Sequence, residues 1–386
     1  MRHHTTSSAY WKAGIAVLLI LIATQAANAQ SGCIQSFRNP QSKYSYNEAK
    51  PGTAAFPLAY GEPLGPVSYK ATGETESTTL ESYLGKFCTT GFLVLYRGQI
   101  VFEQYLQGVK PDDKLLSASM SKSILSQLIG VAISEGKIRL DERVVDVFPD
   151  FAGSAFGNAT VEELLRMTSG VALKNSYAKG ATSDNAQTNP MISPRQDIRA
   201  YLLERKELDK DGKHFDYNGA VTALLGLMLS ARTGETNTDY LHRKIWMPMG
   251  AESSGYWIKN FKGEEGVQGQ FVATLRDYGR IGLMVKNMGK LNGQQVIPAS
   301  WISQMTELRK DKPQPAKAPY YGLHIWIPQA AGGRSTFTGT NGQQIFIDPI
   351  ADVVIVHMAN SPDAVFNGSN HLYPLRNAIV KKLSGM

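Results

Sequence analysis

With 386 residues, 42% of them apolar, the chain is long enough to bury a sizeable core as one large domain or two lobes. Lysine and arginine number 40 against 33 acids, and the net charge of +7 is scattered rather than gathered into a basic run, so nothing marks a nucleic-acid surface. Two cysteines and seven histidines fall in no cluster at metal-ligand spacing, so neither a metal nor a cofactor is expected.

Residues 1–29 read as a signal peptide. Arg2 and Lys12 give a basic start, AGIAVLLILIA an apolar centre, and Ala27-Asn28-Ala29 a small-x-small cleavage site before Gln30. The apolar run is short for a membrane span, so no stable span is expected after cleavage. Gln30 stands three residues before Cys33, where lipoprotein processing needs an aliphatic residue. The expectation is a periplasmic or secreted protein. Cys33 and Cys88 both survive cleavage and can pair in an oxidising compartment, although the sequence does not give their separation in space.

Residues 30–85 form an irregular N-terminal extension rich in Pro, Gly, Ser and Thr. TGFLVLYRGQIVFEQYL then predicts a hairpin, with β-rich runs from Phe92 to Tyr96 and Ile100 to Tyr105 flanking Arg97-Gly98-Gln99. Next comes Ser117-Ala118-Ser119-Met120-Ser121-Lys122-Ser123, leading into ILSQLIGVAIS. Apolar residues at 120, 124, 125, 128, 129, 131, 132 and 133 predict a helix buried around most of its circumference. Lys122 sits in its first turn, one helical turn after Ser119, so amine and hydroxyl can meet. A lysine held in a dry pocket loses basicity until it can take a serine's proton. The alternative is that Ser117 or Ser119 caps the helix while Lys122 snorkels to water. Ser-x-x-Lys also occurs at Ser134/Lys137, in the tail of the same helix, and at Ser176/Lys179, in a polar loop; neither opens a buried helix.

From about 140 to 310 the pattern is mostly helical. Thr160 and Glu163 form a capping box for VEELLRM, Ser193-Pro194 starts another helix, and Ala220 to Ala231 closes at Gly234. Further helices are predicted at 237–246, 273–287 and 298–306. The polar connection 171–192 is long enough to line a cleft. Strands return at Leu323–Ile327, Gly342–Ile347 and Val353–Met358, and a last helix spans His371–Leu383. This order implies an α/β (α+β) fold: one antiparallel sheet built from both ends of the chain, flanked by helices, with a mostly helical lobe inserted.

Two further stretches bear on chemistry. HFDYNGA puts Tyr217 in a polar turn before an apolar helix, where a tyrosine beside an ammonium can act as acid or base; a packing role is the alternative. Thr338-Gly339-Thr340-Asn341-Gly342 places two glycines at a strand entry, fitting either close approach to a ligand or a simple turn. A Ser-His-Asp centre is the weaker reading, because the chain has no Gly-x-Ser-x-Gly elbow and His357 lies in an apolar strand.

Taken together, GFLVLYRGQIVFEQY, LLSASMSKSI, TVEELLRMTSGV, FDYNGA, FVATLRDYGRIGLM, YYGLHIWI and GTNGQQIFIDP resemble the serine β-lactamase and penicillin-binding-protein superfamily. The likeness runs from about Gly91 to the C-terminus. It is greatest to the class C-like branch that includes esterases and 6-aminohexanoate-dimer (nylon oligomer) hydrolases. The resemblance implies a beta-lactamase-like domain over residues 86–386 and an acyl-enzyme mechanism. Ser119 would be the nucleophile, Lys122 its base and Tyr217 the proton relay. The backbone N–H groups of Ser119 and Thr340 would form the oxyanion hole, and Tyr177, Asn218 and Gly339 would contact substrate.

The departures narrow the substrate. Phe337-Thr338-Gly339 stands where β-lactamases have Lys-Thr-Gly, Tyr217-Asn218-Gly219 displaces the usual asparagine, and Lys174-Asn175-Ser176 replaces the acids that precede the cleft tyrosine of nylon-oligomer hydrolases. The expected partner is therefore a small-molecule ester or uncharged amide. A weak β-lactamase or D-alanyl peptidase, and a non-catalytic binding protein on the same fold, are the alternatives.

Overall fold

The computed structural model describes residues 33–174, 182–328, 332–363 and 366–385. The expected signal peptide and Tyr177 lie outside the described residues.

Thr89–Tyr96 (β1) and Gln99–Tyr105 (β2) form the expected hairpin, turning at Arg97 and Gly98 with φ of 51° and 79°. Near the other end of the chain lie Tyr320–Tyr321 (β3), Trp326–Ile327 (β4), Ser335–Thr338 (β5), Gln344–Asp348 (β6) and Val353–Ala359 (β7). The seven make one antiparallel sheet in the order β3-β4-β5-β6-β7-β1-β2, so the late strand β7 pairs with the early strand β1. β1 is apolar almost throughout because both its faces are covered. Leu93 and Leu95 enter one core with the helical lobe, while Phe92 and Val94 enter another beneath the C-terminal helix.

Four long helices matter for the site: Met120–Ser134 (α1), Gly219–Thr233 (α2), Leu275–Lys286 (α3) and Ser369–Ser384 (α4). α1 is buried from Met120 to Ala132. Its serines are satisfied inside the core: Ser121 donates to the Val267 carbonyl at 2.7 Å, and Ser126 to that of Leu323 at 2.7 Å. α3 lies close on the sheet at Gly282, where a Cβ would come within 2.5 Å of Val354 Cγ1. α2 ends as expected at Gly234 (φ 72°), and the Thr160/Glu163 capping box forms with both reciprocal bonds.

Several expectations need correction. The helix expected to open at Ser193-Pro194 begins at Ile198, because Asp197 is the residue whose side chain accepts from the Ala200 N–H at 2.8 Å. The run Leu323–Ile327 is strand only at Trp326–Ile327, since His324 takes a left-handed conformation (φ 57°). β5 was missed. So was a second sheet, Tyr46–Ala49, Gly255–Ile258, Phe271–Ala273 and Leu115–Leu116 in that order, which draws part of the N-terminal extension into the body.

Cys33 and Cys88 are joined in a disulfide, with Cα atoms 5.7 Å apart. The segment it anchors also trades two bonds with the end of β7: Ile34 N–H to the Asn360 carbonyl and the Asn360 amide to the Ile34 carbonyl, both at 2.8 Å. The bridge closes a loop of 55 residues, and the entropy it removes raises the free energy of the unfolded state by about 4 kcal/mol. Replacing both cysteines by serine is expected to lower the unfolding free energy by up to that amount, read by urea denaturation. Reductant should shift the wild type and leave the variant unmoved.

Candidate active site

Ser119 stands at the mouth of α1 with helical backbone angles (φ −64°, ψ −4°), and its hydroxyl makes no capping bond. Ala118, just before it, takes φ 43°, a conformation that costs a non-glycine residue energy and here turns the chain sharply into the helix. Lys122 does not snorkel. It is buried, and its Nζ donates to Ser119 Oγ at 3.0 Å and to the Gln268 carbonyl at 2.6 Å. Burial lowers its pKa to about 7, so near neutrality a large share of the amine carries a free lone pair. Of the two local readings, the geometry has the one in which amine and hydroxyl meet.

Lys122 Nζ also lies over the ring of Tyr217, 5.1 Å from its centre. That ring packs against Trp326 and Tyr321 at 5.3 and 5.8 Å, and those two meet each other at 4.7 Å. The sequence reading did not find this aromatic wall, because three aromatics scattered over 110 positions leave no spacing signal.

Thr340 belongs to the loop leaving β5. Gly339 N–H donates to the Gln343 carbonyl at 2.7 Å, and the Gln343 side chain accepts from Asn341 N–H at 3.1 Å while donating to the Ala359 carbonyl at 3.0 Å. These bonds brace the loop internally and tie it to the end of β7. The need for glycine at 339 is now explicit: a Cβ there would lie 2.9 Å from both the Ser117 carbonyl oxygen and Ala118 Cβ. Close approach is the reason, but to the serine loop as well as to the cleft. Gly339→Ala is expected to cost 1–3 kcal/mol, roughly, by overpacking. It should also lower kcat/KM about 100-fold by shifting Thr340 from Ser119. Urea unfolding and steady-state ester hydrolysis would check the two effects separately.

Ser119, Tyr217, Gly339 and Thr340 all line one cleft of about 470 Å³, whose walls also include Trp326, Phe346 and Phe366. Asn218, expected to contact substrate, is instead fully buried and caps α2, accepting from Ala220 N–H at 2.9 Å. Phe337, in the place of the β-lactamase lysine, is buried in the core and supplies no cation. The connection 171–192 is described in part: Asn185 accepts from Gly219 N–H at 2.6 Å, and Gln268 donates to the Thr188 carbonyl, which ties this stretch to both α2 and the Lys122 pocket.

The histidines are engaged elsewhere. Burial lowers the pKa of His324 to about 3 and that of His357 to about 4. His324 Nδ1 lies 2.7 Å from the Leu165 carbonyl and Nε2 3.0 Å from Thr222 Oγ1. His357 is likewise held between Gly342 and Thr89. Among the described residues no Ser-His pairing forms at Ser119. No group of His, Cys, Asp and Glu with the makings of a metal site occurs among them either.

The family model described as Beta-lactamase matches residues 81–375. The 6-aminohexanoate-dimer hydrolase of Paenarthrobacter ureafaciens is 26% identical over 336 residues, covering 83% of this chain and 84% of that protein. A solved structure from Bacillus anthracis, provisionally named a 6-aminohexanoate-dimer hydrolase, superposes with a TM-score of 0.81 at 23% identity, over 91% of this chain and 94% of that one. A family VIII carboxylesterase gives a TM-score of 0.58 at 16% identity, over 78% of this chain and 92% of that one. Both structural likenesses show the fold.

Proposed function

Since this chain belongs to the Beta-lactamase family and is a serine hydrolase of that fold, we propose that it is exported and cleaves a small carboxylic ester or amide through an acyl-enzyme. The observation that carries this reading is Lys122 Nζ at 3.0 Å from Ser119 Oγ, in a pocket dry enough to bring the amine's pKa to about 7. Neutral Lys122 takes the Ser119 proton as Oγ attacks the substrate carbonyl. The carbonyl oxygen becomes an oxyanion held by the N–H groups of Ser119 and Thr340, the first of which gains from the positive end of α1. Tyr217 passes the proton to the leaving group as the C–O or C–N bond breaks. Water, activated by Tyr217 or Lys122, then attacks the acyl-enzyme, releases the acid and restores Ser119.

The buried Phe337 favours an ester or uncharged amide over a β-lactam, whose ring carboxylate would find no cation at that position. Export is supported by the leader-like residues 1–29 and by a disulfide that suits an oxidising compartment. The test is intact-mass spectrometry after brief exposure to a fluorophosphonate and to a panel of p-nitrophenyl esters. A single adduct mapped to Ser119 supports the reading. No adduct on the folded protein would overturn it and favour a binding role.

A further inference from the structure

The two N–H groups assigned to the oxyanion come from opposite ends of the chain, Ser119 at the mouth of α1 and Thr340 on the loop leaving β5. Their approaches abut at Ser117 and Gly339, where a Cβ on the glycine would meet the serine carbonyl. Both approaches are gripped from outside the cleft by one short segment, residues 33–40.

One end of this segment grips the Thr340 side. Cys88 directly precedes β1 and Asn360 directly follows its partner β7, and Asn360 N–H donates to the Cys88 carbonyl at 3.2 Å. The disulfide to Cys88 brings Ile34 beside Asn360, where the two reciprocal bonds form. The next residue repeats the pattern with the loop: Ser361 N–H donates to the Asn341 carbonyl at 3.2 Å, and the Asn341 amide donates to the Ser361 carbonyl at 2.9 Å. Asn341 Oδ1 also accepts from the Thr340 hydroxyl at 3.0 Å. Two reciprocal pairs in series thus lead from the disulfide to the neighbour of Thr340.

The other end grips the Ser119 side. Asn39 N–H donates to the Lys114 carbonyl and Lys114 N–H to Asn39 Oδ1, both at 2.7 Å. Asp113 pairs with Arg38 and accepts from the Asn39 amide, again at 2.7 Å in each case. From there the chain passes through Leu115 and Leu116 directly into the Ser119 turn. Between its two grips the segment has little packing of its own. None of residues 34–39 is buried. A cavity of about 10 Å³ lies beneath them, bordered by Gln107 and Asn360, whose Oε1 and Oδ1 are buried without a hydrogen-bond partner. A segment held mainly by neutral hydrogen bonds, which exchange readily with water, stays in place only while its ends are fixed.

We propose that residues 33–40 and the Cys33–Cys88 bridge form a clasp that positions the oxyanion hole, so that the disulfide contributes to turnover as well as to stability. The proposal rests on the Ser119 reading, because it concerns how two N–H groups are kept in register with that serine. None of Ile34, Asn341, Asn360 and Ser361 lines the cleft, so each acts through Thr340.

Two variants test it. The double change Cys33→Ser, Cys88→Ser removes the bridge. Ile34→Pro keeps the bridge and removes the N–H given to Asn360; Ile34 already has φ −75°, which proline accepts. Folding of each is checked by near-ultraviolet circular dichroism. With p-nitrophenyl butanoate, kcat/KM is expected to fall about tenfold to 100-fold in the cysteine variant and about three- to tenfold in Ile34→Pro, part of the loss that removal of a whole oxyanion donor brings. Affinity for a trifluoromethyl ketone, whose hemiketal oxyanion fills the same hole, should fall in parallel.

The pH midpoint of kcat/KM near 7 should stay where it is, since Lys122 donates to Ser119 and Gln268 and to no residue of the clasp. A merely structural role would instead loosen that pocket, hydrate Lys122 and move the midpoint upward, and this result overturns the proposal. So does a kcat/KM within about twofold of wild type in the cysteine variant, or in Ile34→Pro should the cysteine variant not fold; either outcome leaves Ser119 as the nucleophile. If wild type hydrolyses no ester and takes no fluorophosphonate, the Ser119 reading itself fails and the clasp fails with it.

Discussion

Replacing Ser119 by alanine should reduce ester hydrolysis by a factor on the order of 10⁴ to 10⁶, the range seen when a hydrolase loses the atom that forms its covalent bond. The fold should be untouched. Ser119 makes no helix-capping bond, and its hydroxyl meets Lys122, which keeps the Gln268 carbonyl as a partner. Unfolding free energy is therefore expected within about 0.5 kcal/mol of wild type. Stopped-flow release of p-nitrophenol would show a burst in wild type and none in the variant. A persistent burst in a folded variant would move the nucleophile elsewhere.

Lys122→Met is the second large effect, and it acts in two directions. Loss of the base should lower kcat/KM by about 10² to 10⁴. In wild type, kcat/KM should rise about tenfold per pH unit below pH 7 and level above it, as the amine becomes neutral. Stability moves the other way. Burial brings the folded pKa to about 7 from the ordinary lysine value of 10.5, so between those limits the unfolded chain holds the proton that the folded chain has released. Wild-type stability then rises with pH across that window, and the full penalty for burying the charge applies below pH 7. Methionine carries no such penalty, although it leaves the Gln268 carbonyl without its donor. The stability of the variant relative to wild type should therefore decline by on the order of 4 kcal/mol between pH 6 and pH 10. Urea unfolding at pH 6, 8 and 10 would measure it. A pH-independent difference would mean that Lys122 stays charged in the folded protein.

Much of this was legible in the residues, and for identifiable reasons. Apolar residues recurring from Met120 to Ile133 point to a helix buried around most of its circumference, so the conflict of Lys122 with burial marks the site. Thr160 with Glu163, and Gly234 after α2, are local rules that tertiary contacts rarely override. What escaped depended on distant partners. β5, Ser335–Thr338, is threonine- and serine-rich, and becomes a strand only because β4 and β6 flank it. Pro194 invited a helix start, yet the side chain with the right acceptor stood three residues later, at Asp197. Asn218 follows Tyr217 in the motif, but the same property that makes asparagine a good ligand contact makes it a good cap, and here the helix end claims it.

The pairing of β1 with β7 has a consequence in time as well as in space. Ser119 and Lys122 are made in the first third of the chain, but Thr340 and the strand that closes the sheet come near its end. Contacts of such long separation form late and slowly, because most of the chain must be drawn together before they form. The growing polypeptide therefore carries Ser119 and Lys122 for some two hundred residues of synthesis before Thr340 exists to join them in one cleft. The cleft is completed only with the fold itself.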